Sequence, residues 1–312
     1  MTSRPPARAL ARGRVVALSA MALVLALPAA SRAGEKEDVL WAHLRARVQD
    51  TEKRLDGVLG LSVKDLKTGT SFEVRADEVF PQASSIKLAV LYELYRQADE
   101  GKIDLGQVTR PPLPRVKGGG VLQELGDRVS LTWRDLAVMM VGWSDNEATN
   151  VLIGRLGMAA VNHRLEDDLD LDHTRLRRKM MDLEAARRGD ENVGTPSEMR
   201  RLVEAIYAGK GLSPAAARDI RVVLATPKDS PFRVPLPETL VVMDKPGSLE
   251  AVRCVTAVVD VPGRPYAVSI ETTFLKKDED GAAAIREISA ALYETFDRLA
   301  RSSELGRVIS ER

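Results

Sequence analysis

The order in which strand-like and helix-like stretches follow one another constrains this chain most. A helical spacing over residues 35–55, carried by Leu40, Trp41, Leu44 and Val48, comes first. Two alternating stretches, 58–64 and 71–75, then flank the turn chemistry Asp65-Leu66-Lys67-Thr68-Gly69-Thr70 and read as a hairpin. A long middle is helical only: 84–100, 131–141 (almost wholly apolar, so expected as a central buried helix), 146–156 and 158–167. Two more helices follow there, one opened by the capping-box pattern Thr195-Pro196-Ser197-Glu198, the other by Ser213-Pro214. Three β-type stretches, 239–245, 253–261 and 266–273, and an amphipathic helix over 282–300 complete the chain. The strands come in hairpins with no βαβ alternation, so the expected fold is α+β: an antiparallel five-stranded sheet flanked by helices, plus a helical lobe. The sheet lobe takes about 34–83 and 225–312 and the helical lobe about 84–224, with a cleft between them as the expected site.

The first 33 residues stand apart. Arg4, Arg8, Arg12 and Arg14 precede an apolar run from Val15 to Leu27, which ends at Pro28 and the small-residue sequence Ser31-Arg32-Ala33. That run is shorter than the ~20 residues a spanning helix needs, so a cleaved secretory signal is expected, with 34–312 as one exported domain, periplasmic or secreted, without a membrane anchor. The chain carries 46 basic and 45 acidic residues, and removal of a segment holding Arg but no acid leaves a mildly acidic remainder. Nothing in that balance favours nucleic acid or anionic membranes as partner. The single Cys254 excludes an internal disulfide, and its apolar surroundings read as burial rather than reactivity.

Three short motifs carry candidate chemistry. In Ser84-Ser85-Ile86-Lys87 a hydroxyl and an amine three residues apart share one helix face at a helix N-terminus. There a lysine made neutral by burial can take the serine proton, and free N–H groups suit an oxyanion. Ser144-Asp145-Asn146 lies on a tight connection between helices, where Ser144 can relay a proton and Asn146 can hold an amide; taken alone, helix capping explains it as well. Lys245-Pro246-Gly247-Ser248 falls at the end of a β-type run, with Lys245 to anchor a carboxylate, Gly247 to admit close approach and the Ser248 N–H as an oxyanion donor.

The order Ser-x-x-Lys, Ser-Asp-Asn, Lys-x-Gly resembles the signature set of class A β-lactamases and penicillin-binding proteins. Phe80-Pro81-Gln82-Ala83, just before Ser84, and Glu147-Ala148-Thr149-Asn150, just after Asn146, are similar to that family too. The resemblance implies a serine hydrolase that opens the β-lactam amide through an acyl-enzyme on Ser84. Lys87 would be or assist the base, Ser144 would pass the proton to the leaving nitrogen, and the N–H groups of Ser84 and Ser248 would form the oxyanion hole. Asn146, Lys245, Gly247 and Ser248 would bind substrate, and Arg253, by approximate spacing, would add a second positive group for its carboxylate.

Two departures are visible. Pro246 stands where the family has Thr, losing a hydroxyl and an N–H, a loss an edge strand tolerates. The Glu-x-x-Leu-Asn pattern that supplies the family's deacylating glutamate is absent; Met181-Asp182-Leu183-Glu184 stands there, with Glu184 the candidate water base and Asp182 its reserve. The alternative is a D,D-carboxypeptidase or penicillin-binding protein acting on peptidoglycan peptides, or a sensor that acylates without turnover. The Ser-His-Asp, zinc and phosphate-loop arrangements lack their required residues. No cofactor and no metal are expected; a monomer with a small-molecule or peptide substrate is.

Overall fold

The computed structural model describes residues 1–2, 33–110, 115–116, 118–126, 129–303 and 305–308. The targeting segment expected over 1–33 falls almost wholly outside the described residues. Helix α1 (Ala33–Arg54) leads into the hairpin β1 (Val58–Asp65) and β2 (Ser71–Val74), then the short β3 (Phe80–Pro81). A 3-10 turn, Ala83–Ile86, runs directly into α2 (Lys87–Asp99). The two-residue strands β4 (Val108–Thr109) and β5 (Leu131–Thr132) pair ahead of α3 (Trp133–Gly142), α4 (Asn146–Leu156) and α5 (Met158–Leu169). After α6 (Leu183–Arg187), β6 (Val193–Gly194) pairs with β3; α7 (Pro196–Ala208) and α8 (Pro214–Ala225) close the helical part. The strands β7 (Val241–Leu249), β8 (Val252–Asp260) and β9 (Tyr266–Thr273) and the helix α9 (Asp278–Arg301) end the fold.

The expected antiparallel five-stranded sheet is present, in the order β2-β1-β9-β8-β7. Its alternating residues divide two layers. Leu59, Leu61 and Val63 of β1, Val255 and Ala257 of β8 and Val268 and Ile270 of β9 face α1 and α9, whose Trp41, Leu44, Ile285, Leu292 and Phe296 cover them in one core. The opposite face meets the helical lobe. Near the site it is small or polar: Gly60, Ser62, Ser269, Cys254, Thr256, Lys245 and Gly247.

Three expectations need correction. The central buried helix is α2, not the stretch at 131–141: Leu88, Val90, Leu91, Leu94 and Tyr95 are all buried, whereas α3 leaves Val138 and Met139 half-buried. Helix α2 is wrapped by α4, α5, α7 and α8, so it is buried on all sides despite Arg96 and Asp99 near its end. Strand β7 does not stop at Lys245 but runs through Pro246 to Leu249, because as the outer strand it loses nothing where proline has no N–H. At α7, Thr195 caps the backbone N–H of Glu198, but the Glu198 carboxylate does not complete the box. It instead accepts from Thr174 N at 2.6 Å and Thr174 Oγ1 at 2.7 Å, tying the preceding loop to the helix.

Candidate active site

The nucleophile turn is tighter than a plain helix start. Ser84 and Ser85 lie in the 3-10 turn, and Lys87 is the first residue of α2. In 3-10 geometry residues three apart eclipse, so Ser84 and Lys87 share one edge. Ala83 just before has φ of +44°, a left-handed conformation that costs a non-glycine residue ~1–3 kcal/mol and persists where packing over-determines it. The packing is visible. The Ser85 N–H donates to Gln82 O at 2.8 Å, Cys254 Sγ donates to the same oxygen at 3.1 Å, and Ser85 Oγ donates to Lys245 O at 2.9 Å.

Ser144-Asp145-Asn146 sits on the connection between α3 and α4. Ser144 there is left-handed, with φ of +52°. Asp145 rather than Ser144 caps α4, accepting from Ala148 N at 2.8 Å, and its other oxygen accepts from Val121 N and Leu122 N at 2.7 and 2.8 Å. That carboxylate therefore pins the loop at 118–122 over the start of α4. The Asn146 amide donates to Gly118 O at 2.8 Å in the same junction.

Two buried amines converge on the Ser144 hydroxyl. Lys87 Nζ lies 3.0 Å from Ser144 Oγ, 2.7 Å from Ser144 O and 2.9 Å from Asn146 Oδ1. Lys245 Nζ lies 3.1 Å from the same Oγ and 2.8 Å from Pro246 O. Both lysines have 0% exposure. Burial, then the Lys245 charge, hold the Lys87 amine well below the usual lysine range against the pull of Asp145. Burial, then Lys228, bring Lys245 down to about 7. Two of the three Lys87 partners, Ser144 O and Asn146 Oδ1, are pure acceptors and take its N–H groups.

Gly247 is required by the approach of the turn. A Cβ there would stand 2.6 Å from Cys254 Sγ and 2.9 Å from both Gln82 O and Ser84 N. The backbone of β7 is thus pressed against the N–H of Ser84, with Ser248 next along the strand and exposed. Ser84, Ser144, Pro246, Gly247, Ser248 and Arg253 line one cleft of about 430 Å³, whose far wall includes Arg286 of α9 and Val234. A concavity of about 480 Å³ beside Lys64 and one of about 580 Å³ beside Leu40 hold none of the motif residues. Arg253 reaches the cleft but is already engaged: its guanidinium lies 2.9 Å from Asp278 Oδ2 and donates to Leu249 O and Val252 O.

Glu184 and Asp182 are not brought to this cleft. Glu184 is exposed on α6, and Asp182 caps that helix by accepting from Ala185 N at 3.0 Å. The residue of this loop held to α4 is Met180, buried, whose N–H and C=O are both bonded by the Asn150 carboxamide at 2.8 and 3.0 Å. Asn150 stands one turn beyond Asn146 on α4, a spacing that flags it in hindsight. Among the described residues no group of three or more His, Cys, Asp or Glu is placed to hold a metal ion.

Comparison with known proteins agrees with this fold. The model of the beta-lactamase enzyme family matches residues 43–296. A β-lactamase of Streptomyces albus G is 28% identical over 322 residues, covering 95% of this chain and 98% of its own. The crystal structure of a β-lactamase from Sphaerobacter thermophilus superposes with a TM-score of 0.73 at 29% identity, over 82% of this chain and 97% of that one. The structure of PBP-A gives 0.74 at 26% identity, over 82% and 96%, and a variant of PBP-A is described as an acyl-enzyme complex with penicillin G.

Proposed function

The chain belongs to the β-lactamase enzyme family, and from that premise we propose that it hydrolyses the amide of β-lactams through an acyl-enzyme on Ser84. The observation that carries this reading is the convergence of Lys87, which follows Ser84 by three residues, and Lys245 on Ser144 Oγ, at 3.0 and 3.1 Å. Neutral Lys87 takes the Ser84 proton as Oγ adds to the lactam carbonyl. The charge on the carbonyl oxygen falls to the N–H groups of Ser84 and Ser248. As the C–N bond breaks, Ser144 gives its proton to the nitrogen and is reprotonated from the lysine pair. Asn146 holds the substrate side-chain amide; Lys245, Ser248 and Arg253 hold its carboxylate, with Gly247 leaving the strand open to it. Water then attacks the ester; the base assigned to this step is Glu184, which α6 holds exposed outside the cleft and which must come in to act. The protein acts as an exported monomer without cofactor.

A second reading is favoured by one observation: Glu184 is exposed outside the cleft, and the residue of its loop that Asn150, one turn beyond Asn146, holds to α4 is the apolar Met180. Such a site acylates but releases the acyl group slowly, as a D,D-carboxypeptidase acting on peptidoglycan peptides or a β-lactam sensor does. Intact-mass spectrometry over time with excess benzylpenicillin separates the two. An adduct absent from Ser84→Ala that clears as the drug is consumed, and that Glu184→Ala traps, is expected for the hydrolase. An adduct that persists for hours selects the second reading. No adduct overturns both.

A further inference from the structure

Four residues form one row across the inner face of the sheet. The registers place Gly60 of β1 opposite Glu271 of β9, Glu271 opposite Cys254 of β8, and Cys254 opposite Gly247 of β7. Directly opposed residues in antiparallel strands share a face, so the row is a trough with glycine at each end. The chain from Phe80 to Ser84 lies along it. A Cβ on Gly60 would meet the Phe80 ring at 2.7 Å, Gln82 O receives the Cys254 thiol, and Ser84 N rests on Gly247. Glu271 is 1% exposed, and the carboxamide of Gln82 lies beside it.

Two buried acceptors in this trough lack a donor: Gln82 Oε1 and Glu271 Oε2. The other ends of both side chains are served, since Ser269 Oγ donates to Glu271 Oε1 at 3.0 Å and Gln82 Nε2 to Phe80 O at 3.4 Å. A proton on the carboxyl turns Oε2 into a donor for Gln82 Oε1 and satisfies both atoms at once. We infer that Glu271 is a positioning residue, a protonated carboxylic acid that holds Gln82 and thereby fixes the turn presenting the Ser84 hydroxyl and N–H. The inference rests on Ser84 being the nucleophile.

Burial raises the Glu271 carboxyl to about 8, against Gln82 and then Ser269, whose donors favour the ionised form. Of the elements around it, β8 brings Cys254, whose thiol burial pushes up to about 12, and β7 brings Lys245. Helix α7 brings Arg200, whose Nε donates to Ser62 Oγ at 2.8 Å, and Glu198, bonded to Thr174. Helix α2 brings Lys87, whose amine is directed at Ser144 and Asn146. Gly60 of β1 and Phe80-Pro81 of β3 bring no ionisable group. Loss of the Glu271 proton sets two acceptors against each other, or flips the Gln82 amide and costs it Phe80 O. Either loosens the nucleophile turn.

Glu271→Gln tests this, because it keeps a donor for Gln82 and an acceptor for Ser269 but has no proton to lose. Stopped-flow acylation by nitrocefin is expected to agree within about twofold between the two proteins near pH 6.5, and to be about tenfold slower in the wild type near pH 9.5. Lys87, Lys245 and Cys254 titrate in both proteins and cancel in the ratio. Glu271→Leu, which cannot donate, is expected to be about tenfold slower than Glu271→Gln at both ends of the range. The Gln82 side-chain amide nitrogen, followed by NMR, is expected to titrate near 8 in the wild type and stay flat in Glu271→Gln. Superimposable rate profiles overturn the positioning role, and a flat Gln82 signal in the wild type overturns the bond. If nitrocefin acylates neither protein, the Ser84 reading fails, and the Gln82 titration alone decides whether Glu271 holds the turn.

Discussion

At Lys87 two effects oppose each other: burial and the Lys245 charge drive the proton off, while Asp145 draws it back, and the first two win. The sign for catalysis follows. A lysine whose proton is bound less tightly than usual becomes neutral, and so a base, at lower pH than an exposed one. Acylation by nitrocefin is expected to rise with pH on a limb whose midpoint lies well below the ordinary lysine value of 10.5. Lys87→Arg keeps the charge but cannot be neutral, and is expected to slow acylation by ~100-fold or more at every pH in the same stopped-flow measurement. Lys245, brought down to about 7, works in the opposite sense. It carries charge below that value and loses it above, so the Michaelis constant for an anionic penicillin is expected to climb as the pH rises through 7.

At the scale of elements, the site is a junction of helix starts and one outer strand, and Asp145 is the peg at the junction. Its carboxylate takes three backbone N–H groups, one from α4 and two from the 118–122 loop. Asp145→Ala leaves the buried N–H groups of Leu122 and Ala148 unpaired, at ~1–3 kcal/mol each if neither finds a new partner, so calorimetry is expected to show the melting temperature lowered by roughly 10 °C. Much of this level was readable in advance, because its signals are local. Ser213-Pro214 announces α8, Gly157 closes α4, and the spacing of Trp41, Leu44 and Val48 gives α1. What escaped depends on partners distant in sequence. Glu198 reads as half of a capping box until Thr174, 24 residues earlier, claims it. Pro246 reads as the end of a strand until the sheet order makes β7 an edge. Glu271 reads as one polar residue in a buried strand, and Gln82, 189 positions away, is what gives it a role. Glu184 fits the spacing of a loop carboxylate near the site, but the local turn at Met181, with φ of +62°, precedes a helix that carries it outside.

For the whole molecule, the sheet's two faces do different work. The inner face is cut from Gly60, Glu271, Cys254, Gly247 and Lys245 to fit the nucleophile turn, and a methyl added at Gly247 would collide with backbone. The outer face is apolar over most of its extent and reaches the cleft at one end, where Ser248 and Arg253 meet Ala282, Ile285 and Arg286 of α9 at the rim. Stability and catalysis are therefore separable by mutation. Phe296 lies deep in the outer layer, stacked on Tyr266 at 4.3 Å and meeting Trp41 edge-on at 5.6 Å. Phe296→Ala removes that ring with no way for three packed elements to close the gap, so ~3–5 kcal/mol of stability is expected to be lost. Denaturant unfolding measures it as a lower midpoint with the slope unchanged. At a temperature where the variant remains folded, its nitrocefin acylation rate is expected to match the wild type, because the row beneath Ser84 faces the other way. A variant that is folded yet acylates tenfold more slowly would mean that the outer layer also sets the geometry of the site.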